Sequence, residues 1–146
     1  MSVESINLWH KRARPSPKWE DFEVQLGCHI EEFVEQMDEL HLPNPTDRAT
    51  MGAVLDALET LSMRLKNGTL EVSINNRENF LKELCDGVVT SIGVAHCAGM
   101  DSVVGLAEVS RSNWSKFDKD GYPMFDNNGK IVKGYGYSPA NMKGMV

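Results

Sequence analysis

The sequence predicts an all-α protein, a four-helix bundle-like domain with a small β-hairpin tail, and three observations lead there. Apolar residues recur at three- and four-residue steps through two long segments. Asparagine and aspartate stand just ahead of further helical segments, where caps are needed. In the tail after residue 117, two short apolar runs flank a "DNNG" turn. The 146 residues suit one domain, 1–146, with an N-terminal loop over 1–17 and a hairpin-containing tail over 117–146.

The elements follow in order. "MSVESINLWHKRARPSP" ends in basic and proline residues and reads as a loop. The first helix starts near Lys18, with Phe22, Leu26, Ile30, Phe33, Val34, Met37 and Leu40 as its apolar stripe. Pro43 and Pro45 end it, because each disfavours helix in the residue before it. The second runs through "RATMGAVLDALETLSMRLKNG", with Thr46 or Asp47 as N-cap and Gly68 as the stop. "TLEVSI" is read as a connector. Asn75 or Asn76 caps the third helix, which ends at Gly99, and Asp101 caps the fourth, "SVVGLAEVSRSNWSKF".

Charge and cysteine content narrow the function. A net charge of −6 opposes sequence-independent binding to polymeric nucleic acid. No apolar run has the length of a membrane span, so no membrane partner is expected. Cys28, Cys85 and Cys97 form an unpatterned set, read as small core residues in a reducing, cytoplasmic compartment.

Two acidic motifs carry the chemistry. Glu31, Glu32 and Glu35 fall within about a quarter-turn of the first helix, at 100° per residue; alone, such a face is better explained by solvation. The third helix is different. From Gly87 to Ala98 it has no formal charge and is apolar nearly all round, which predicts burial on most sides and, in so small a domain, self-association. One turn earlier stand Glu83 and Asp86, an i,i+3 pair on a shared face. Carboxylates about 5 Å apart repel by roughly 3 kcal/mol at an effective dielectric of about 20, so a cation should offset them. Lys82 is one such partner. A hard divalent ion, Mg²⁺ or Mn²⁺, is the other, because oxygen donors select such ions.

"EEFVE" followed by "ELCD" resembles the E-E-x-x-E … E-x-x-D signature of the all-α nucleoside triphosphate pyrophosphohydrolases, the MazG-like superfamily. "EVSRSNWSKF" and "DGYPMFDNNGKIVKGYGYSP" are similar to the C-terminal part of its short members, many of them phage-encoded. The gap between the acidic motifs is longer than in many relatives, and "DGVVTSIG" lacks the aromatic residue many place after E-x-x-D. The resemblance implies hydrolysis of a nucleoside triphosphate to monophosphate and pyrophosphate, with a lean to purine dGTP, in the cytoplasm (the host's, for a phage protein). It assigns Glu32, Glu35, Glu83 and Asp86 as ligands of Mg²⁺ or Mn²⁺ and Glu31 as the residue that activates water. Arg111, Asn113, Lys116, Lys130 and Lys133 become substrate contacts, with Trp9 and His10 near the base or phosphates. It also implies a homodimer or homotetramer.

Three other readings stand beside this one. A ferritin-like di-iron bundle needs paired E-x-x-H motifs, and the chain offers only Asp38 to His41. "DKDGYPMFDNNG" places Gly121 too early for a calcium loop and lacks its closing glutamate. A non-catalytic helical oligomerisation module is the main alternative.

Overall fold

A computed structural model describes residues 3–127 and 129–146. Among them are five helices and no strand: α1 (Val3–Ala13), α2 (Trp19–Asp38), α3 (Pro45–Lys66), α4 (Arg77–Cys97) and α5 (Ser102–Trp114). The all-α expectation holds, with two corrections. The N-terminal segment expected as a loop is mostly the helix α1, on which Ile6, Trp9 and Ala13 repeat at helical spacing. The expected hairpin is reduced to one antiparallel bridge, Phe125 with Ile131, extended by Val132 N–H donating to Met124 O at 2.9 Å. Pro123 offers no ladder donor, and two short strands without a third are marginal in water. The second asparagine of the turn, Asn128, lies outside the described residues.

The chain forms two compact units. One comprises residues 17–72 with 127–130 and is built on α2 and α3, which pack along each other. Lys18 N–H donates to Asp21 Oδ2 at the start of α2. The α3 cap is Asn44, two residues before Thr46 and three before Asp47: its side chain accepts from Thr46 N at 2.8 Å, and Pro45 takes the first helical position. Val34, Leu55 and Leu65 are the buried apolar side chains of this unit.

α2 and α3 approach each other closely at Gly27. The Ser62 hydroxyl donates to Gly27 O at 2.8 Å, inside the packed face. A Cβ at Gly27 would meet Lys66 Cγ at 2.8 Å and the backbone oxygen of Ser62 at 2.9 Å. The lysine can yield, whereas the carbonyl belongs to a helix. Gly27→Ala should therefore destabilise the unit by about 1–3 kcal/mol, in spite of alanine's better helix propensity, as read from urea denaturation.

The other unit comprises residues 1–16, 73–126 and 131–146. Its core is Trp9, Ala13 and Phe117, with Trp114 and Ile131 packed against them. Trp9 stacks on Phe117 with ring centroids 5.5 Å apart, and its Nε1–H donates to Asn113 O at 2.9 Å. Asn76 caps α4 by accepting from Asn79 N, and Asp101 caps α5 by accepting from Val103 N and Val104 N. Gly99, at φ +76°, ends α4 as the sequence suggests.

One helix departs from expectation. α4 was expected to be covered on most sides, yet it contains no buried residue. It packs against α5, and one neighbour can cover only one side of a helix that is apolar all round. Cys85 and Cys97, expected in a core, are exposed on it, while Cys28 on α2 is half-buried.

Candidate functional site

The first acidic motif lies on α2, where Gly27 and Val34 are buried and Gly27 O accepts from Ser62 of α3. Glu32 and Glu35 stand on the exposed side of that helix. Glu31 is half-buried and held by two lysines, Lys66 Nζ at 2.7 Å and Lys130 Nζ at 3.0 Å. Partial burial acts to raise its carboxyl, but the hydrogen bonds from Lys66 and Lys130 outweigh this and hold it below the ordinary range. Lys130 is raised in turn, chiefly by its hydrogen bond to Glu31. Glu31 is therefore a stabilised carboxylate, a weaker base than a free glutamate. Lys66 was not singled out from sequence; its position at the end of α3 gave no sign of which residue it would reach.

The surroundings of this motif are strongly negative. Residues 17–72 with 127–130 contain twelve acidic and five basic side chains, so the charge excess of the whole chain sits here. A field of this sign raises the local concentration of cations.

The second motif lies on the first half of α4. Lys82 Nζ sits 3.0 Å from Glu83 Oε1 and 2.7 Å from Asp86 Oδ2. The two carboxylates thus converge on one positive group, as their repulsion demands, and that group is the neighbouring lysine. The ammonium is raised by its hydrogen bonds, the one to Asp86 foremost. All three side chains are more than half exposed, so the arrangement is screened and adds little to stability. It does show that an i,i+3 pair on this helix can present two oxygens to a single cation. Oxygen-only donors of this kind fit a hard divalent ion, although among the described residues no group of three or more acidic, histidine or cysteine side chains is gathered to hold a metal.

The expected substrate contacts have varied surroundings. Arg111 is a clamp: Nε and Nη2 each donate to the Glu108 carboxylate at 2.8 Å, and Nη2 also donates to Pro139 O at 2.9 Å. Asn113 and Lys116 are half-buried, and their backbone oxygens serve Trp9 and Gly134. Lys133 Nζ lies 4.8 Å from the centre of the Tyr137 ring, a cation–π contact. Trp9 is a core residue with one ring face on Phe117, so packing accounts for it. His10 meets Trp9 edge to face, and desolvation followed by the charge of Arg14 lowers its imidazole. In "DKDG", Asp118 Oδ1 accepts from Asp120 N and Tyr122 N, so this carboxylate shapes a turn.

Glu108 was not anticipated from sequence either, and it is the most perturbed acid. It accepts from Arg111 and also from Asn141 N at 2.9 Å, tying the C-terminal segment to α5. The hydrogen bonds from Arg111, then from Asn141, lower its carboxyl from 4.5 to about 2. A depressed folded value means that the stabilisation is complete above the ordinary value and is lost on acidification through the folded one. The Asn141 amide should accordingly lose its hydrogen-exchange protection between about pH 4.5 and pH 2, and Glu108→Gln should remove this acid transition.

No single described helix is long and apolar enough to cross a membrane. No family model, curated protein or solved structure matches the chain.

Proposed function

We propose that the protein is a metal-dependent nucleoside triphosphate pyrophosphohydrolase that converts a nucleoside triphosphate to its monophosphate and pyrophosphate. The observation that carries this reading is the convergence of Glu83 and Asp86 on one cationic group, the Lys82 ammonium, in a chain that also bears E-E-x-x-E on α2 with Glu32 and Glu35 exposed. The resemblance assigns Glu32 and Glu35 on α2, and Glu83 and Asp86 on α4, as the carboxylates that would hold Mg²⁺ or Mn²⁺. The ion, when bound, neutralises phosphate oxygens and polarises the α phosphorus for in-line attack. Glu31 orients the attacking water, its charge maintained by Lys66 and Lys130. Lys116 and Asn113 are the phosphate and base contacts of choice. Arg111 contributes by fixing the segment around residues 138–141, since its donors already serve Glu108 and Pro139. A purine deoxynucleotide such as dGTP is the preferred substrate, and the cytoplasm the compartment.

The test is direct. The full chain is incubated with each of the common ribo- and deoxynucleoside triphosphates and Mg²⁺ or Mn²⁺, and released pyrophosphate is measured. Release from at least one supports the reading; none from any of them ends it. A second reading, a non-catalytic helical association module, is favoured by the lysine that already neutralises Glu83 and Asp86 and by the exposed apolar surface of α4. Calorimetry separates the two, because only the enzyme should bind the divalent ion together with nucleotide.

A further inference from the structure

The last turn of α3 is laid on α2 by three residues at i, i+3 and i+4 spacing. A Cβ at Gly27 would meet the backbone oxygen of Ser62 at 2.9 Å, Leu65 Cβ at 3.3 Å and Lys66 Cγ at 2.8 Å. Ser62 is 2% exposed and Leu65 1%, so the backbone from which Lys66 springs is held between buried neighbours. Gly68, at φ +65°, ends the helix two residues later, and its N–H donates to Leu65 O at 3.2 Å. The lysine stem therefore runs through the space that the absent side chain of Gly27 leaves open. Its side chain is only 20% exposed, whereas a lysine that merely ended a helix would extend into water.

The ammonium at the end of this stem lands on the first acidic motif. Gly27 and Glu31 are four residues apart on α2 and share a face. A stem that crosses α2 at Gly27 brings Nζ to Glu31 one turn further on, 2.7 Å from Oε1. Oε2 of the same carboxylate accepts from Lys130 Nζ at 3.0 Å, so both oxygens are engaged. Lys130 is the looser partner, its side chain 47% exposed. Glu32 and Glu35 differ. Both are exposed, and among the described residues neither carboxylate accepts a hydrogen bond.

We infer that Lys66 is a positioning residue of the reaction: seated in the slot at Gly27, it fixes Glu31 on the α3 side of α2, apart from the ligands Glu32 and Glu35. The inference rests on the pyrophosphohydrolase reading and deepens it. Glu31 can orient an attacking water only while its carboxylate stays in one place and is not drawn onto the divalent ion. Ammonium groups on both oxygens oppose that transfer, because a metal would have to displace one of them. Each oxygen still keeps a lone-pair direction for the water, since a carboxylate offers about four acceptor sites.

The test compares variants of the full chain on a nucleotide that the wild type hydrolyses. Lys66→Met keeps the stem and removes the charge. It should lower kcat on the order of 10²-fold, as a small misplacement of a reacting group does, and leave KM and calorimetric Mn²⁺ affinity unchanged. Lys66→Arg, which keeps the charge, should recover most of the loss. A tie that served only to join α2 and α3 would leave kcat where it was. Should Lys66→Met lose helical circular dichroism, Lys66→Gln takes its place. Wild-type kcat in a folded variant overturns the inference and leaves the catalytic reading standing. A wild type that hydrolyses no nucleotide ends the reading and the inference together. Zero-length carbodiimide coupling, read by peptide mass spectrometry, needs no turnover. It should join Lys66 to Glu31 in the wild type, and failure to do so overturns the inference whether or not the chain is active.

Discussion

Glu35→Gln and Asp86→Asn should each reduce divalent-ion-dependent release of pyrophosphate by on the order of 10³-fold or more, with no change in helical circular dichroism. Both exchanges keep shape and remove charge. Both positions are exposed, so neither leaves a buried group unpaired. Asp86 loses only a screened ion pair with Lys82, a contact whose removal costs the fold little. What the amides cannot do is neutralise a divalent ion, so a loss of turnover at full stability isolates that role. The pair of variants also asks whether the two acidic motifs serve one reaction, since one motif lies on α2 and the other on α4. Wild-type turnover in either variant would remove that motif from the catalytic assignment.

Trp9→Ala should destabilise its unit by about 3–5 kcal/mol, a large part of the stability of a small domain. The indole fills the centre of the core with Phe117 and Ala13, and its N–H is committed to Asn113 O. Trp9→Phe should cost much less, about 1–2 kcal/mol, because it keeps the stacking on Phe117 and loses the hydrogen bond and part of the volume. Urea unfolding monitored by the near-ultraviolet dichroism of the remaining aromatics would measure both. A Trp9→Ala chain of wild-type stability would return the indole to the role of a stacking platform for a nucleotide base.

Local rules predicted most of the helices, because their causes are local. The repeat from Phe22 to Met37, the prolines at 43 and 45, and the caps Asn76 and Asp101 each act within a few residues and set the observed helices, although Phe33 and Leu40 of the expected stripe are exposed rather than packed. α1 was missed because Pro15, Pro17 and the run of basic residues outweighed a repeat of only three apolar residues. The tail does not form the expected hairpin because short apolar runs beside a turn become strands only when backbone groups pair along their whole length. Here backbone groups of the tail bond to α5 and to each other instead. Of the candidate site, the identity of the acids was legible and their partners were not. Lys130 reaches Glu31 across 99 positions and Lys66 across 35, distances over which no periodicity speaks. Lys82, by contrast, neighbours its acids in the chain, and its role could be anticipated.

The pairing of Trp9 with Asn113, 104 residues downstream, has a consequence for how the protein is made. As the polypeptide leaves the ribosome, α2 and α3 meet across a short connection and can close early, since contacts near in the chain form fastest. The first helix has no such partner. Its indole must remain unsheltered until α5 and Phe117 have been synthesised, so α1, translated before the rest of its unit, is among the last elements to be secured.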